Sequence, residues 1–213
     1  MPRPDVATLL GGTAVVPVLM VESVETGVAL ARALVAGGLS VLEITLRTPA
    51  ALEVIRAIGS EMEGAVVGAG TVLHPKQYSA AERAGARFVV SPGATENLLA
   101  YAEASETPFL PGAVTASEVM TLLERGYSCL KFFPAEPAGG IAYLKALAAP
   151  LPEARLCPTG GIDAASAPRY LGLPNVLCVG GSWVAPGDAV AAGDWPTITA
   201  LARAAAALGR AAG

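Results

Sequence analysis

Short apolar runs alternate with stretches of helical spacing along this chain, and the alternation repeats eight times. The apolar runs occupy residues 14–21, 41–47, 65–72, 88–92, 109–114, 129–134, 155–161 and 176–182. They are rich in Val, Leu, Ile and Phe and are bounded by Gly or Pro, the pattern of parallel strands covered on both faces. Between them, residues 24–36, 50–58, 77–84 and 116–125 carry the helical period. Gly37, Gly85 and Gly126 stand where helix ends are expected. Thr48-Pro49 reads as a helix start, and Thr115 with Glu118 as a capping box. Eight strand–helix units, each roughly 20 to 27 residues long, predict an α/β chain folded as a closed (β/α)8 TIM barrel. Residues 1–213 then form one barrel domain, with an extra N-terminal helix at 5–10 and an Ala-rich helix at 196–208. A doubly wound open sheet is the alternative, but it rarely needs eight regular units. Gly68-Ala69-Gly70 starts like a dinucleotide loop; Leu73 stands at the third glycine position and no acidic ribose-binding residue is obviously placed, so that reading is discounted.

Composition narrows the class. With 53% hydrophobic and 15% charged residues, the chain has material for a substantial core and is not a disordered sequence. No apolar run reaches the roughly 18 residues that a membrane helix needs. The run at 14–21 also lacks a small-residue cleavage site, so no signal peptide is expected and a cytoplasmic location is. A net charge of -4 without a basic cluster argues against nucleic acid as a partner. An anionic substrate would therefore be drawn by local cations and oriented amides. Cys129, Cys157 and Cys178 each fall inside an apolar run and read as core residues, not as a disulfide framework or a metal site. The single histidine, His74, precedes Pro75 in an expected loop, and no cluster has the spacing of a metal cage, which favours metal-independent chemistry.

One run stands apart: Ser128-Cys129-Leu130-Lys131-Phe132-Phe133-Pro134-Ala135-Glu136. Strand alternation puts Cys129, Lys131 and Phe133 on one face and Leu130 and Phe132 on the other. If helices cover the second face, the lysine points into the interior. Removing an ammonium from water is costly, and the neutral amine that burial favours is the form that attacks a carbonyl. Lys131 is therefore the candidate Schiff-base residue. In the second strand, Leu42, Ile44 and Leu46 face the helices while Glu43, Thr45 and Arg47 face inward. A Glu43–Arg47 or Glu43–Lys131 ion pair could merely fill the interior, though such pairs contribute little stability. A carboxylate beside an amine that changes protonation state during turnover suits general acid–base work. Alternation also places Thr71 on the inner face with Val67 and Ala69. The seventh strand supplies Thr159 followed by Gly160 and Gly161, and the eighth ends in Gly180, Gly181 and Ser182. Glycines after these two strands let backbone N–H groups approach a phosphate. Phe133 and Pro92 are expected as apolar walls beside the amine.

Taken in order, several motifs carry a family resemblance: Val41-Leu42-Glu43-Ile44-Thr45-Leu46-Arg47-Thr48, Val67-Gly68-Ala69-Gly70-Thr71-Val72, Val90-Ser91-Pro92-Gly93, Leu130-Lys131-Phe132-Phe133-Pro134-Ala135-Glu136, Cys157-Pro158-Thr159-Gly160-Gly161-Ile162 and Val179-Gly180-Gly181-Ser182-Trp183. Over nearly its whole length the chain resembles the 2-keto-3-deoxy-6-phosphogluconate (KDPG) aldolases, often bifunctional with 4-hydroxy-2-oxoglutarate (KHG) aldolase activity. The resemblance implies a metal-free and cofactor-free class I aldolase on a (β/α)8 barrel, typically a homotrimer. Lys131 would form the imine and Glu43 would move protons. Arg47 and Thr71 would hold the pyruvate carboxylate, with Pro92 shaping that pocket. Thr159 would meet the substrate hydroxyls, Phe133 would pack beside the imine, and Gly160, Gly161 and Ser182 would hold the distal phosphate. The chain departs from many relatives at Ala116, where proline is common, and over 163–166, which lacks an asparagine often present there. The products implied are pyruvate with glyceraldehyde 3-phosphate, or pyruvate with glyoxylate from KHG. Two other readings stay open: a sugar-phosphate isomerase using Glu43 as base, and a catalytically silent barrel that binds a phosphorylated metabolite.

Overall fold

A computed structural model describes residues 6–210. Its strands are β1 (Val15–Leu19), β2 (Val41–Thr45), β3 (Val66–Gly70), β4 (Val89–Val90), β5 (Phe109–Leu110), β6 (Gly112–Ala113), β7 (Cys129–Phe132), β8 (Arg155–Pro158) and β9 (Val179–Gly181). The helices are α1 (Val6–Leu10), α2 (Val24–Ala36), α3 (Ala51–Glu61), α4 (Pro75–Arg83), α5 (Glu96–Glu103), α6 (Ala116–Glu124), α7 (Gly140–Ala148), α8 (Ala167–Leu171), α9 (Gly187–Ala192) and α10 (Trp195–Ala207). Every registered strand pair is parallel, in the orders β5-β4-β3-β2-β1-β9 and β6-β7-β8. The fold is thus α/β, with parallel strands in a curled sheet.

The fifth predicted strand is split. Pro111, which has no N–H to donate, separates β5 from β6, while its carbonyl still accepts from Lys131 N at 2.9 Å. On the far side, isolated parallel bridges join Leu156 to Val176 and Thr159 to Gly180.

Alternation divides the core into two layers. Leu42 and Ile44 of β2 and Leu130 and Phe132 of β7 pack outward beneath the helices. Val41, Cys129, Cys157 and Cys178 pack inward with Val16, Phe88, Val90 and Leu110, and α1 adds Val6 and Leu10 to this inner cluster. The short first helix therefore fills the end of the interior from which the strands start. Asp5, expected at its beginning, lies outside the described residues.

Several helix boundaries have visible causes. Helix α2 matches its predicted span, but Gly37 keeps a right-handed conformation (φ -82°) and Gly38 takes the left-handed one (φ +99°). Gly37 serves helix packing instead: a Cβ there would lie 2.3 Å from the Ala202 methyl of α10. Helix α4 starts two residues earlier than predicted, because His74 is not a plain loop residue. Its Nδ1 accepts from Gln77 N at 3.3 Å as an N-cap, with Pro75 as the first helical residue. Thr48-Pro49 does not start α3; Ala50 caps that helix without a side-chain hydrogen bond, and the Thr48 hydroxyl donates to the Val21 carbonyl. The Thr115–Glu118 capping box is present on α6.

Candidate active site

Lys131 reaches from β7 across the interior to β2. Its Nζ lies 3.1 Å from Glu43 Oε1 and 3.4 Å from Oε2. The two side chains are almost enclosed, with residue exposures of 5% and 3%. An ion pair with so little water around it is a poor device for stability alone, since both groups must be stripped of hydration. The ring of Phe133 flanks the amine, its centroid 5.5 Å from Nζ, within cation–π range.

Glycine makes room for the carboxylate. Gly70 of β3 stands beside Glu43, and a Cβ there would fall 2.0 Å from Glu43 Oε1. Gly68 similarly admits the ring of Phe88, whose atoms would lie 2.4–2.5 Å from a Cβ. These inward glycines correct the expected face of Thr71. Val67 and Ala69 pack outward, so Thr71 does not share an inner face with them. It stands past the end of β3 at φ +58°, the sole positive-φ residue other than glycine among those described. Left-handed backbone at a β-branched residue is strained, and such strain concentrates at functional sites.

Arg47 also departs from expectation. Strand β2 stops at Thr45, so Arg47 is not enclosed with Glu43; it is exposed at the strand's exit. Its Nε donates to Thr45 Oγ1 at 3.2 Å, and the Thr45 hydroxyl donates to the Leu19 carbonyl at 2.9 Å. Arg47 and Ser182 both line a cavity of about 510 Å³, with Val18, Met20, Leu30 and Val190 among its walls. Lys131 and Glu43 do not line it; they already touch, leaving no open space between them.

Thr159 follows β8 and is buried, with Gly180 drawn so close that a Cβ would lie 2.2 Å from the Thr159 hydroxyl. Gly160 and Gly161 take φ values of +104° and +81°. A side chain at Gly161 would also strike Glu136, at 2.7 Å from its Cβ. Ala135 N donates to Thr159 O at 2.8 Å and Glu136 N to Gly160 O at 3.0 Å, tying the loop after β7 to the loop after β8. The Tyr170 hydroxyl donates to Glu136 Oε1 from α8. Gly181 is squeezed against the Trp183 ring, and Ser182 is exposed beyond it. Pro92 is half-buried, its carbonyl carbon 2.3 Å from where a Cβ on Gly112 would stand. The predicted residues thus stand toward or past the exit ends of β2, β3, β4, β7, β8 and β9, with Lys131, Glu43 and Phe133 in one contact group, Thr159 and Gly180 in another, and Arg47 and Ser182 on a cavity that the amine does not line. Thr45 and Gly70 were not singled out from sequence; the inward alternation of β2 was the available signal for Thr45.

Among the described residues, no group of His, Cys, Asp and Glu side chains could hold a metal ion. The sequence profile described as KDPG and KHG aldolase matches residues 6–201. The KHG/KDPG aldolase of Escherichia coli (strain K12) is 52% identical over 189 residues, which cover 89% of this chain and 89% of that protein. The crystal structure of 2-keto-3-deoxy-6-phospho-gluconate aldolase from Zymomonas mobilis superposes with a TM-score of 0.91 at 49% identity, covering 96% of this chain and 98% of that one. KDPG aldolase from Legionella pneumophila, with pyruvate captured as a covalent carbinolamine intermediate, superposes with a TM-score of 0.92 at 43% identity, covering 94% and 98%. An enclosed amine–carboxylate pair at the strand exits and this likeness over the whole fold lead to one conclusion: the chain belongs to the KDPG and KHG aldolase family.

Proposed function

We propose that this chain is a class I aldolase that reversibly cleaves KDPG to pyruvate and glyceraldehyde 3-phosphate through an imine on Lys131, and that it also cleaves KHG to pyruvate and glyoxylate. The observation that carries the assignment to residues is the enclosed Lys131–Glu43 contact of 3.1 Å. The family is class I, using a lysine Schiff base rather than a metal or cofactor.

The chemistry follows from these groups. The Lys131 amine attacks the keto carbon to give a carbinolamine, which loses water to leave a protonated imine. The C3–C4 bond then breaks as the C4 hydroxyl gives up its proton. The bond's electron pair moves into the imine, producing the enamine of pyruvate and releasing the aldehyde. Protonation at C3 and addition of water return pyruvate and the free amine. Glu43 takes and returns the protons. Because amine and carboxylate are in contact before substrate arrives, Glu43 stands where it can take the proton that Nζ must lose before it attacks. Arg47 and Thr71 hold the carboxylate so that the breaking bond lies across the π system, an orientation contribution. Pro92 and Phe133 wall the reacting carbon, and Thr159 meets the hydroxyl portion. Gly160, Gly161, Gly180, Gly181 and Ser182 receive the phosphate, a role supported by the left-handed backbone of the first pair.

The same reading extends to architecture. The continuity of β5 with β6 across Pro111, which links the two sheet segments, and the bridges from Leu156 to Val176 and from Thr159 to Gly180 support a closed (β/α)8 barrel forming one domain. Exposed Val24, Leu73 and Met120 supply apolar surface for packing subunits into a homotrimer. No described helix is long and apolar enough to cross a membrane, in keeping with a cytoplasmic enzyme.

Pyruvate release is the direct test, comparing phosphorylated gluconate- and galactonate-derived substrates with KHG. An isomerase or a silent binding protein would release none. Borohydride with pyruvate should label the parent protein covalently, and Lys131→Ala should abolish both labelling and turnover. Labelling that survives in K131A would defeat the assignment of the imine.

A further inference from the structure

Thr45 ends β2 with its side chain on the inner face, two residues beyond Glu43 and two before Arg47, and it is 1% exposed. Its hydroxyl carries one proton, which goes to the Leu19 carbonyl of β1 at 2.9 Å. The oxygen's lone pairs then remain for the Arg47 Nε–H, which approaches to 3.2 Å. The direction of the chain Arg47–Thr45–Leu19 is thereby fixed, since a carbonyl can only accept and a guanidinium can only donate.

Arg47 needs such a tether. It stands past the strand end, exposed, and among the described residues its guanidinium makes no ion pair. A long side chain in that position otherwise samples many rotamers. With Nε held by Thr45, the end of the fork carrying Nη1 and Nη2 is left to meet a planar anion with two parallel hydrogen bonds. The buried threonine and the exposed arginine thus form a rigid mount and a free binding edge.

We propose that Thr45 is a positioning residue of the 2-oxo acid site, one that orients Arg47 toward the substrate carboxylate through the Nε–Oγ1 bond. This rests on the reading of Arg47 as the carboxylate anchor. The competing account is that Thr45 only ties β2 to β1 through Leu19.

The test is proton exchange at the methyl of pyruvate, followed by NMR in deuterated buffer, with KM and kcat measured separately. Thr45→Val keeps the shape and branching but removes donor and acceptor; it should raise the KM for pyruvate about tenfold while leaving kcat within about twofold. Thr45→Ser should restore the parent KM. Arg47→Gln should raise the same KM, and adding T45V to R47Q should raise it no further. If T45V does not fold, Thr45→Cys takes its place, with its weak sulfur acceptor and the same expected KM rise. A parental KM in whichever variant folds, or an undiminished T45V effect in the R47Q background, overturns the role of Thr45 while leaving the anchor intact. An unchanged KM in R47Q overturns the anchor itself, and the proposal with it.

Discussion

If the Glu43 carboxylate serves the amine it touches, as proposed, its action is sensitive to small displacements. Gly70 is the residue that permits the contact, because a methyl group there would occupy the space of Glu43 Oε1. Gly70→Ala should therefore displace the carboxylate and lower kcat on the order of 10²-fold, with a stability cost of about 1–3 kcal/mol from overpacking. Glu43→Gln keeps the shape and removes the proposed base, and should slow exchange at the pyruvate methyl by roughly 10²–10⁴-fold. NMR-followed exchange and urea titration read both variants; an exchange rate in E43Q equal to the parent's would reduce Glu43 to a structural partner. Lys131 and Glu43 were legible in the sequence because both sit within strands, where alternation assigns a face. Arg47 and Thr71 lie beyond strand ends, where alternation has no force. Their motifs could be read but their orientations could not, and the need for glycine at position 70 depends on a neighbour from another strand.

Helix α6 shows what local sequence can encode by itself. The Glu118 carboxylate accepts from Thr115 N at 2.8 Å and Val114 N at 2.9 Å, while Glu118 N is held by the Thr115 hydroxyl at 3.3 Å. The hydrogen bond from the Thr115 backbone, with those from Val114 N and the Thr115 hydroxyl, holds the Glu118 carboxyl below the usual glutamate range, against the opposing effect of burial. The folded state thus binds this proton less readily than the unfolded chain does. Its contribution is complete above the ordinary carboxylate range and fades as pH falls through the lowered folded value. Glu118→Gln should accordingly flatten the acid limb of a stability–pH curve, and Thr115→Ala should cost about 1 kcal/mol at neutral pH by urea unfolding. An E118Q acid limb as steep as the parent's would show that the box contributes nothing there. The box was legible because all its partners lie within five residues. The division of β5 from β6 was not, since Pro111 interrupts a ladder whose partner strand is distant in sequence. Helices α8 and α9, with five and six residues, are too short for periodicity to reveal.

At the scale of the molecule, the strands separate a chemical end from a packed end. Lys131, Glu43 and Thr159 lie toward the strand exits, and the apolar inner cluster lies beneath them, capped by α1 through Val6 and Leu10. The eightfold alternation of runs made the α/β class readable, whereas the seating of α1 depended on the interior it enters. Within that lower cluster sit Cys129, Cys157 and Cys178, all buried, with the Cys178 thiol donating to Cys157 sulfur at 3.4 Å. That bond, together with burial, pushes the Cys178 thiol well up. A thiol is modified as its thiolate, so all three sulfurs are shielded by location, and Cys178 by protonation as well. The protein consequently carries its own clock for global opening: a disulfide reagent such as DTNB should develop colour only as fast as the native state comes apart. Leu10→Ala, which should cost about 2–5 kcal/mol, ought to quicken that colour in step with the stability it removes. Rapid titration of the sulfurs in the intact enzyme would mean that the floor beneath Lys131 opens without unfolding.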